Sequence, residues 1–181
     1  MFYSDKPIGE NKDNGAKFEI FKEIGGLRKT LEGSCHDQSK KALMKLKEKG
    51  YDTSSYYYAI WEDVDGPFDH VCTLVNVDGK SLCVDVTIGQ FPELNDVVAD
   101  PSPEGMVFIG SREKWEKLLK EMMKTQEIEF GEVTNLEDVK SKMRNYAFQF
   151  FKKRQELSAS SNINSASSSK KSVRRSGCTL F

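Results

Sequence analysis

The sequence has only two histidines, and none of its four cysteines forms a C-x-x-C pair. Too few paired soft ligands remain for a structural zinc site, so no metal is expected. No apolar run approaches the roughly 20 residues that span a bilayer, so no transmembrane helix is expected either. The first residues, Met1-Phe2-Tyr3-Ser4-Asp5-Lys6-Pro7, lack the basic-then-apolar order of a secretory leader. Positive charge is not in excess: 27 Lys and Arg face 28 Asp and Glu. That balance argues against nucleic acid as a partner. Nothing in the composition calls for a cofactor, and thiols without a leader imply a reducing, cytosolic setting.

What is present suits one soluble domain with a tail. The chain has 181 residues, 38% hydrophobic and 30% charged, enough for a single core. Residues 1–15 are polar, with Pro7, Gly9, Asn11, Asn14 and Gly15, and read as a loose arm. Residues 16–157 read as the folded domain. Phe18, Ile20, Phe21, Ile24, Leu27 and Leu31 repeat at helical spacing, interrupted by Gly25-Gly26. A second helix is expected from Ser34 or Cys35 to Lys49, with Gly50 as its C-terminal stop. Tyr56 to Trp61 is rich in strand formers, and Asp65-Gly66-Pro67 reads as a turn.

Residues 68–77 and 80–88 read as strands joined at Asp78-Gly79, the signal of a two-residue hairpin. Both faces are apolar, so the pair is expected at the centre of a doubly covered sheet. A loop is expected over 92–105, then a short strand over 106–109. Ser111 caps a helix whose apolar face includes Trp115, Leu118, Leu119, Met122 and Met123. A short strand over 127–130 precedes a last helix, which starts at Thr134 or Asn135 and ends near Leu157. Residues 158–181 read as a disordered Ser-rich basic tail. The fold class expected is α+β.

The candidate chemistry centres on Cys35. A cysteine at a helix start has its sulfur at the positive end of the helix, which favours the thiolate. The hairpin supplies partners. With Asp78-Gly79 at the tip, Val77 faces Lys80, Cys72 faces Asp85 and His70 faces Thr87. His70 and Asp85 then share one face as diagonal cross-strand neighbours. His70 is thereby assigned as base, with Asp85 fixing its tautomer. The backbone N–H of Cys35 is a candidate oxyanion donor, with Gln38 and Gln90 as auxiliary side-chain candidates. Cys72 and Cys83 lie mid-strand among apolar neighbours and read as inert core. His36 competes with His70, but the first helical turn is a poor place for a strand carboxylate to orient it.

Gly-x-Cys opening a helix, His-Val in a strand, and a second strand ending Val-Asp-Val-Thr resemble the papain-like/transglutaminase-like superfamily of cysteine enzymes. Asp85-Val86-Thr87-Ile88-Gly89-Gln90-Phe91 is similar to an Asp-x-Thr-x-x-Gln-Phe segment of its small bacterial members. The resemblance covers about residues 25–91 and implies a papain-like/transglutaminase-like fold, with the nucleophile at the start of a helix packed on an antiparallel sheet. It implies a Cys35–His70–Asp85 triad and a protein or peptide substrate, without choosing between protease, deamidase and transglutaminase chemistry. Arylamine N-acetyltransferases share the triad, but Leu31-Glu32-Gly33-Ser34 does not match their Arg-Gly-Gly. A non-catalytic adaptor on the same fold is the alternative.

The last four residues, Cys178-Thr179-Leu180-Phe181, have the C-a-a-X form. A terminal Phe favours geranylgeranylation of Cys178. One lipid anchors only marginally, and Lys170, Lys171, Arg174 and Arg175 supply a second attraction, to an anionic membrane. The expectation is a location on the cytoplasmic face of a eukaryotic membrane. The owner would be a eukaryote, or a bacterium that injects the protein into a host.

Overall fold

The computed structural model describes residues 2–3, 12–27, 34–63, 66–97 and 106–171, with only the backbone described at 2–3, 12–14, 25, 63, 95 and from 158 onward. Six strands form one antiparallel sheet. They are β1 (Phe2–Tyr3), β2 (Asp52–Asp63), β3 (Gly66–Val77), β4 (Lys80–Asp85), β5 (Val107–Ser111) and β6 (Ile128–Val133), in spatial order β1-β5-β4-β3-β2-β6. The helices are α1 (Lys12–Ile24), α2 (Cys35–Glu48), α3 (Leu94–Val97), α4 (Arg112–Met122) and α5 (Leu136–Lys171).

The central hairpin follows from two backbone angles. Asp78 has φ 49° and Gly79 φ 72°, both left-handed, as a type I′ turn requires. The turn sets the register: Val77 pairs with Lys80, and the ladder continues to Thr73 opposite Val84. Because alternate residues point to opposite faces, this register sorts the side chains into two layers. Tyr57, Ala59, Trp61, Cys72, Leu74 and Cys83 pack beneath α4, against Trp115, Leu119 and Met122. On the other face Val75, Leu82, Val84 and Ile109 meet Ile20 and Ile24 of α1 and Ala42 and Leu46 of α2. Tyr56, Tyr58, Ile60 and Val71 meet Val139 of α5. β3 and β4 are therefore covered on both sides, as their two apolar faces suggest.

Polar bonds fix α2 on β3. Ser39 Oγ donates to the Val71 carbonyl at 2.8 Å, and Thr73 Oγ1 donates to the Ser39 carbonyl at 2.8 Å. Both hydroxyls are buried, so each bond also meets a group that would otherwise be costly to desolvate.

The structure departs from the sequence reading at several boundaries. The arm expected over 1–15 contains a strand, with Phe2 and Tyr3 paired to Phe108 and Val107, and α1 begins at Lys12. Two residues carry no periodicity, so only the unpaired edge of β5 reveals such a strand. β3 begins at Gly66, inside the expected turn. β4 stops at Asp85 rather than running to 88, and Ile88–Gln90 forms a 3₁₀ turn. The cause is local: the Asp85 carboxylate accepts from the Thr87 N–H at 3.0 Å and from Thr87 Oγ1 at 3.1 Å. Such side-chain-to-backbone bonds compete with the strand ladder.

α5 runs to Lys171, past the end expected near Leu157. No Gly or Pro interrupts residues 136–171, and a helix already nucleated on the domain propagates at low cost per residue. Arg174, Arg175 and Cys178 lie outside the described residues, as do the side chains of Lys170 and Lys171.

Replacing Gly79 by Val forces a β-branched residue into the left-handed region. The change is expected to destabilise the fold by more than about 1 kcal/mol, read as a lower urea midpoint with an unchanged slope.

Candidate active site

Asp85, the last residue of β4, is fully buried, and four donors surround its carboxylate. Thr87 supplies two of them, on Oδ1. The other two converge on Oδ2: His70 Nε2 at 2.7 Å and the Trp115 indole Nε1–H at 2.9 Å. His70 lies on β3 beyond the last β3–β4 pair and is also fully buried. The hairpin parity puts both side chains on the α4 face, close enough to bond.

His70 is held on three sides. Phe91 meets its ring edge-on at 4.8 Å, and Trp115 stacks at 5.8 Å with 21° between the planes. With Nε2 committed to Asp85, Nδ1 is the nitrogen left to face other partners. Gln90 Nε2 lies 3.0 Å from it, and the Cys35 side chain is close enough to His70 to help raise its pKa. Cys35 starts α2, in the layer on the opposite side of the sheet. His70 itself lies past the end of the β3–β4 ladder, where Thr73 pairs with Val84. Cys35 is 4% exposed, so water screens the pair little.

The electrostatics follow from this burial. Desolvation alone would push His70 down. The Asp85 charge and its hydrogen bond, joined by the interaction with Cys35, outweigh it and raise His70 from 6.5 to about 10. Burial likewise opposes ionisation of Asp85, but the charge and hydrogen bond of His70, then Trp115 and Thr87, hold its carboxyl below the usual range. A charged imidazole beside a thiol at a helix start is the environment in which cysteine becomes a nucleophile. The imidazolium also bears a proton on Nδ1. The Gln90 amide faces this nitrogen, and its other end, Oε1, is buried without a partner.

The remaining candidates separate clearly. Gln38 is buried one turn into α2, its N–H bonded to the Ser34 carbonyl at 3.0 Å. Among the described residues it is not one of the groups bonded to His70 or Asp85. Cys72 and Cys83 are fully buried. Burial, and next a hydrogen bond with Cys83, push the Cys72 thiol well up, the opposite of activation. His36 differs from the expectation, because a strand carboxylate does orient it: His36 Nε2 lies 2.5 Å from Asp69 Oδ2. That pair ties α2 to β3 next to Cys35, whereas the thiol acts on His70. Trp115 was legible only as part of an apolar helix face. Thr87 carried a hint in the Asp-x-Thr spacing.

The sequence matches, over residues 30–173, the family described as dermonecrotoxin of the papain-like fold. The chain belongs to this dermonecrotoxin family. The papain-like α+β fold is therefore the one present. No curated protein sequence matches the chain. Solved structures that share the fold of this dermonecrotoxin-family chain include two bacterial virulence proteins. The C-terminal region of Pasteurella multocida toxin, described as having a thiol-protease like catalytic triad, aligns with a TM-score of 0.55 at 17% identity. The alignment covers 71% of this chain and 18% of the toxin chain, so the dermonecrotoxin-family chain spans under a fifth of that chain. The catalytic domain of the Salmonella virulence factor SseI aligns with a TM-score of 0.51 at 19% identity, covering 75% of this chain and 80% of that one.

Asp85→Ala leaves His70 buried without its counter-charge and is expected to destabilise the domain by about 3–5 kcal/mol, measured by urea unfolding. The pH dependence has a defined sign. Because folding raises the His70 pKa, its contribution to stability is complete below about 6.5 and is lost as pH rises through about 10. The depressed Asp85 acts at the other end, where its contribution falls away as pH drops below the usual carboxylate range. Urea midpoints should therefore decline across the alkaline window in the wild type, and decline less in His70→Gln.

Proposed function

We propose that this chain is a cysteine-dependent acyl-transfer enzyme acting on amide bonds of a protein or peptide at a membrane surface. The observation that carries this reading is the buried cluster of Cys35, His70 and Asp85, with His70 bonded to Asp85 at 2.7 Å and its pKa raised by both neighbours. In this reaction the Cys35 sulfur attacks the substrate carbonyl carbon, its proton having passed to His70. The tetrahedral oxyanion is met by backbone N–H groups of the first turn of α2, Cys35 first among them, with buried Gln38 as the nearby side-chain candidate. The C–N bond breaks, and the departing nitrogen takes the proton from His70. Water or an amine, deprotonated by His70, then attacks the thioester and releases Cys35. Asp85 holds the imidazole orientation and charge throughout.

Membership of a toxin family supports an effector that acts inside a eukaryotic host cell. The C-a-a-X ending at Cys178 suits that setting, because host enzymes would attach the lipid. The basic residues Lys170, Lys171, Arg174 and Arg175 would add attraction to an anionic leaflet. The means of attachment proposed here is a lipid on Cys178.

The site reading is tested by site-resolved labelling with a thiol-reactive probe. Wild type should label at Cys35, Cys35→Ala should not, and His70→Ala should lose about 10²–10⁴ in rate. A Cys35 rate indifferent to His70 would refute the assignment. Mass spectrometry of candidate host proteins then separates the chemistries: peptide cleavage means protease, a glutamine converted to glutamate means deamidase, and an amine adduct means transglutaminase. Acetyl transfer from acetyl-CoA to an arylamine would point to the acetyltransferase reading instead. Loss of membrane association in Cys178→Ser tests the anchor. Cellular activity that survives Cys35→Ser but not Cys178→Ser would indicate a non-catalytic adaptor.

A further inference from the structure

The triad leaves one buried polar contact unexplained. Trp115 lies on α4, an element that contributes none of the three triad residues, and its side chain is fully buried. Indole N–H groups in apolar cores need an acceptor, and backbone carbonyls are the common supply. Here the acceptor is the Asp85 carboxylate, and the oxygen chosen is the one that also receives His70 Nε2. The same indole stacks on the His70 ring at 5.8 Å. Tyr57 at 5.8 Å and Phe130 at 6.1 Å enclose its outer side. One side chain thus touches both members of the charged pair, bonding to one and covering the other.

We propose that Trp115 is a positioning residue of the Cys35 site, fixing which Asp85 oxygen faces His70 and keeping water from the pair. This rests on the reading of Cys35, His70 and Asp85 as the triad. The physical case is one of competing rotations. Thr87 alone, bonded to Oδ1, leaves the carboxylate free to tilt about that anchor. A second donor on Oδ2 removes the tilt, so the bond to His70 Nε2 keeps one geometry and Nδ1 keeps one aim. The ring adds exclusion of water, which would otherwise bond to the same oxygen and screen its charge. The indole N–H also favours the ionised form of Asp85 over its neutral acid.

The test uses the full chain and Trp115→Phe, which retains an aromatic ring but loses the N–H. The readout is the pH profile of Cys35 alkylation by iodoacetamide, resolved by peptide mass from the other cysteines. Losing a charge-assisted donor makes Asp85 easier to protonate. The acid limb of the profile should therefore move up by about one pH unit, a roughly tenfold loss of Cys35 reactivity on the acid side. A purely structural role would lower thermal stability and leave the limb in place, and that result overturns the proposal. The His70→Ala control separates the two levels of the argument. If it leaves wild-type Cys35 reactivity unchanged, the triad reading itself fails and this proposal falls with it.

Should Trp115→Phe fail to fold, the wild type carries the test through its ¹⁵N-labelled indole resonances. The Trp115 N–H should be shifted downfield, should titrate with the His70–Asp85 pair, and should move on Asp85→Asn. An indole resonance indifferent to both overturns the proposal.

Discussion

The buried Asp85 carboxylate organises this molecule. An ionised group removed from water is tolerable only when charge and hydrogen bonds replace the lost solvent. Here His70, Trp115 and both donors of Thr87 do so. Each bond has a structural consequence as well as an electrostatic one. Thr87 ends β4 and starts the 3₁₀ turn that brings Gln90 back to His70. Trp115 ties α4 to the sheet. His70 receives the charge that offsets its own burial. Removing the carboxylate would leave all three partners without an acceptor in a dry interior.

The cysteine enters from the other side of the sheet. α2 is docked on β3 by Ser39 and Thr73 and by the His36–Asp69 pair. Its apolar residues Ala42 and Leu46 pack with Val75, Val84 and Ile109. The docking fixes the first turn of α2, which carries Cys35, against β3, which carries His70. His36 and Cys35 are adjacent in α2, and Asp69 and His70 are adjacent in β3, so two neighbouring contacts pin the same crossing. A helix terminus held by several independent bonds keeps the side chains of its first turn in one place.

The family relation and the site geometry bear on different questions. The dermonecrotoxin family of the papain-like fold accounts for the architecture. A fold of this kind hosts several acyl-transfer chemistries, and the choice among them depends on substrate contacts outside the triad. At the site, the start of α2 and the His70 imidazole both act on the Cys35 side chain, and neither specifies an acyl donor.

Much of the site was legible in the chain because it rests on local rules. The Asp78-Gly79 turn defines the register, and strand alternation then places His70 and Asp85 on one face, both without knowledge of the rest of the fold. The start of α2 at Cys35 is likewise a local signal. The boundaries that went astray involved partners distant in sequence or side chains that compete with the ladder. Phe2–Tyr3 is a strand because β5 has a free edge. β4 ends early because Asp85 bonds to Thr87 instead of continuing the sheet. Trp115 looked like one more apolar residue on a helix, and His36 like a histidine without an orienting carboxylate. Only the packing of α4 over the hairpin turns the indole N–H toward Asp85, and only the crossing of α2 over β3 brings His36 to Asp69. Periodicity records which face a residue occupies, whereas the partner it meets there is decided by how the layers stack.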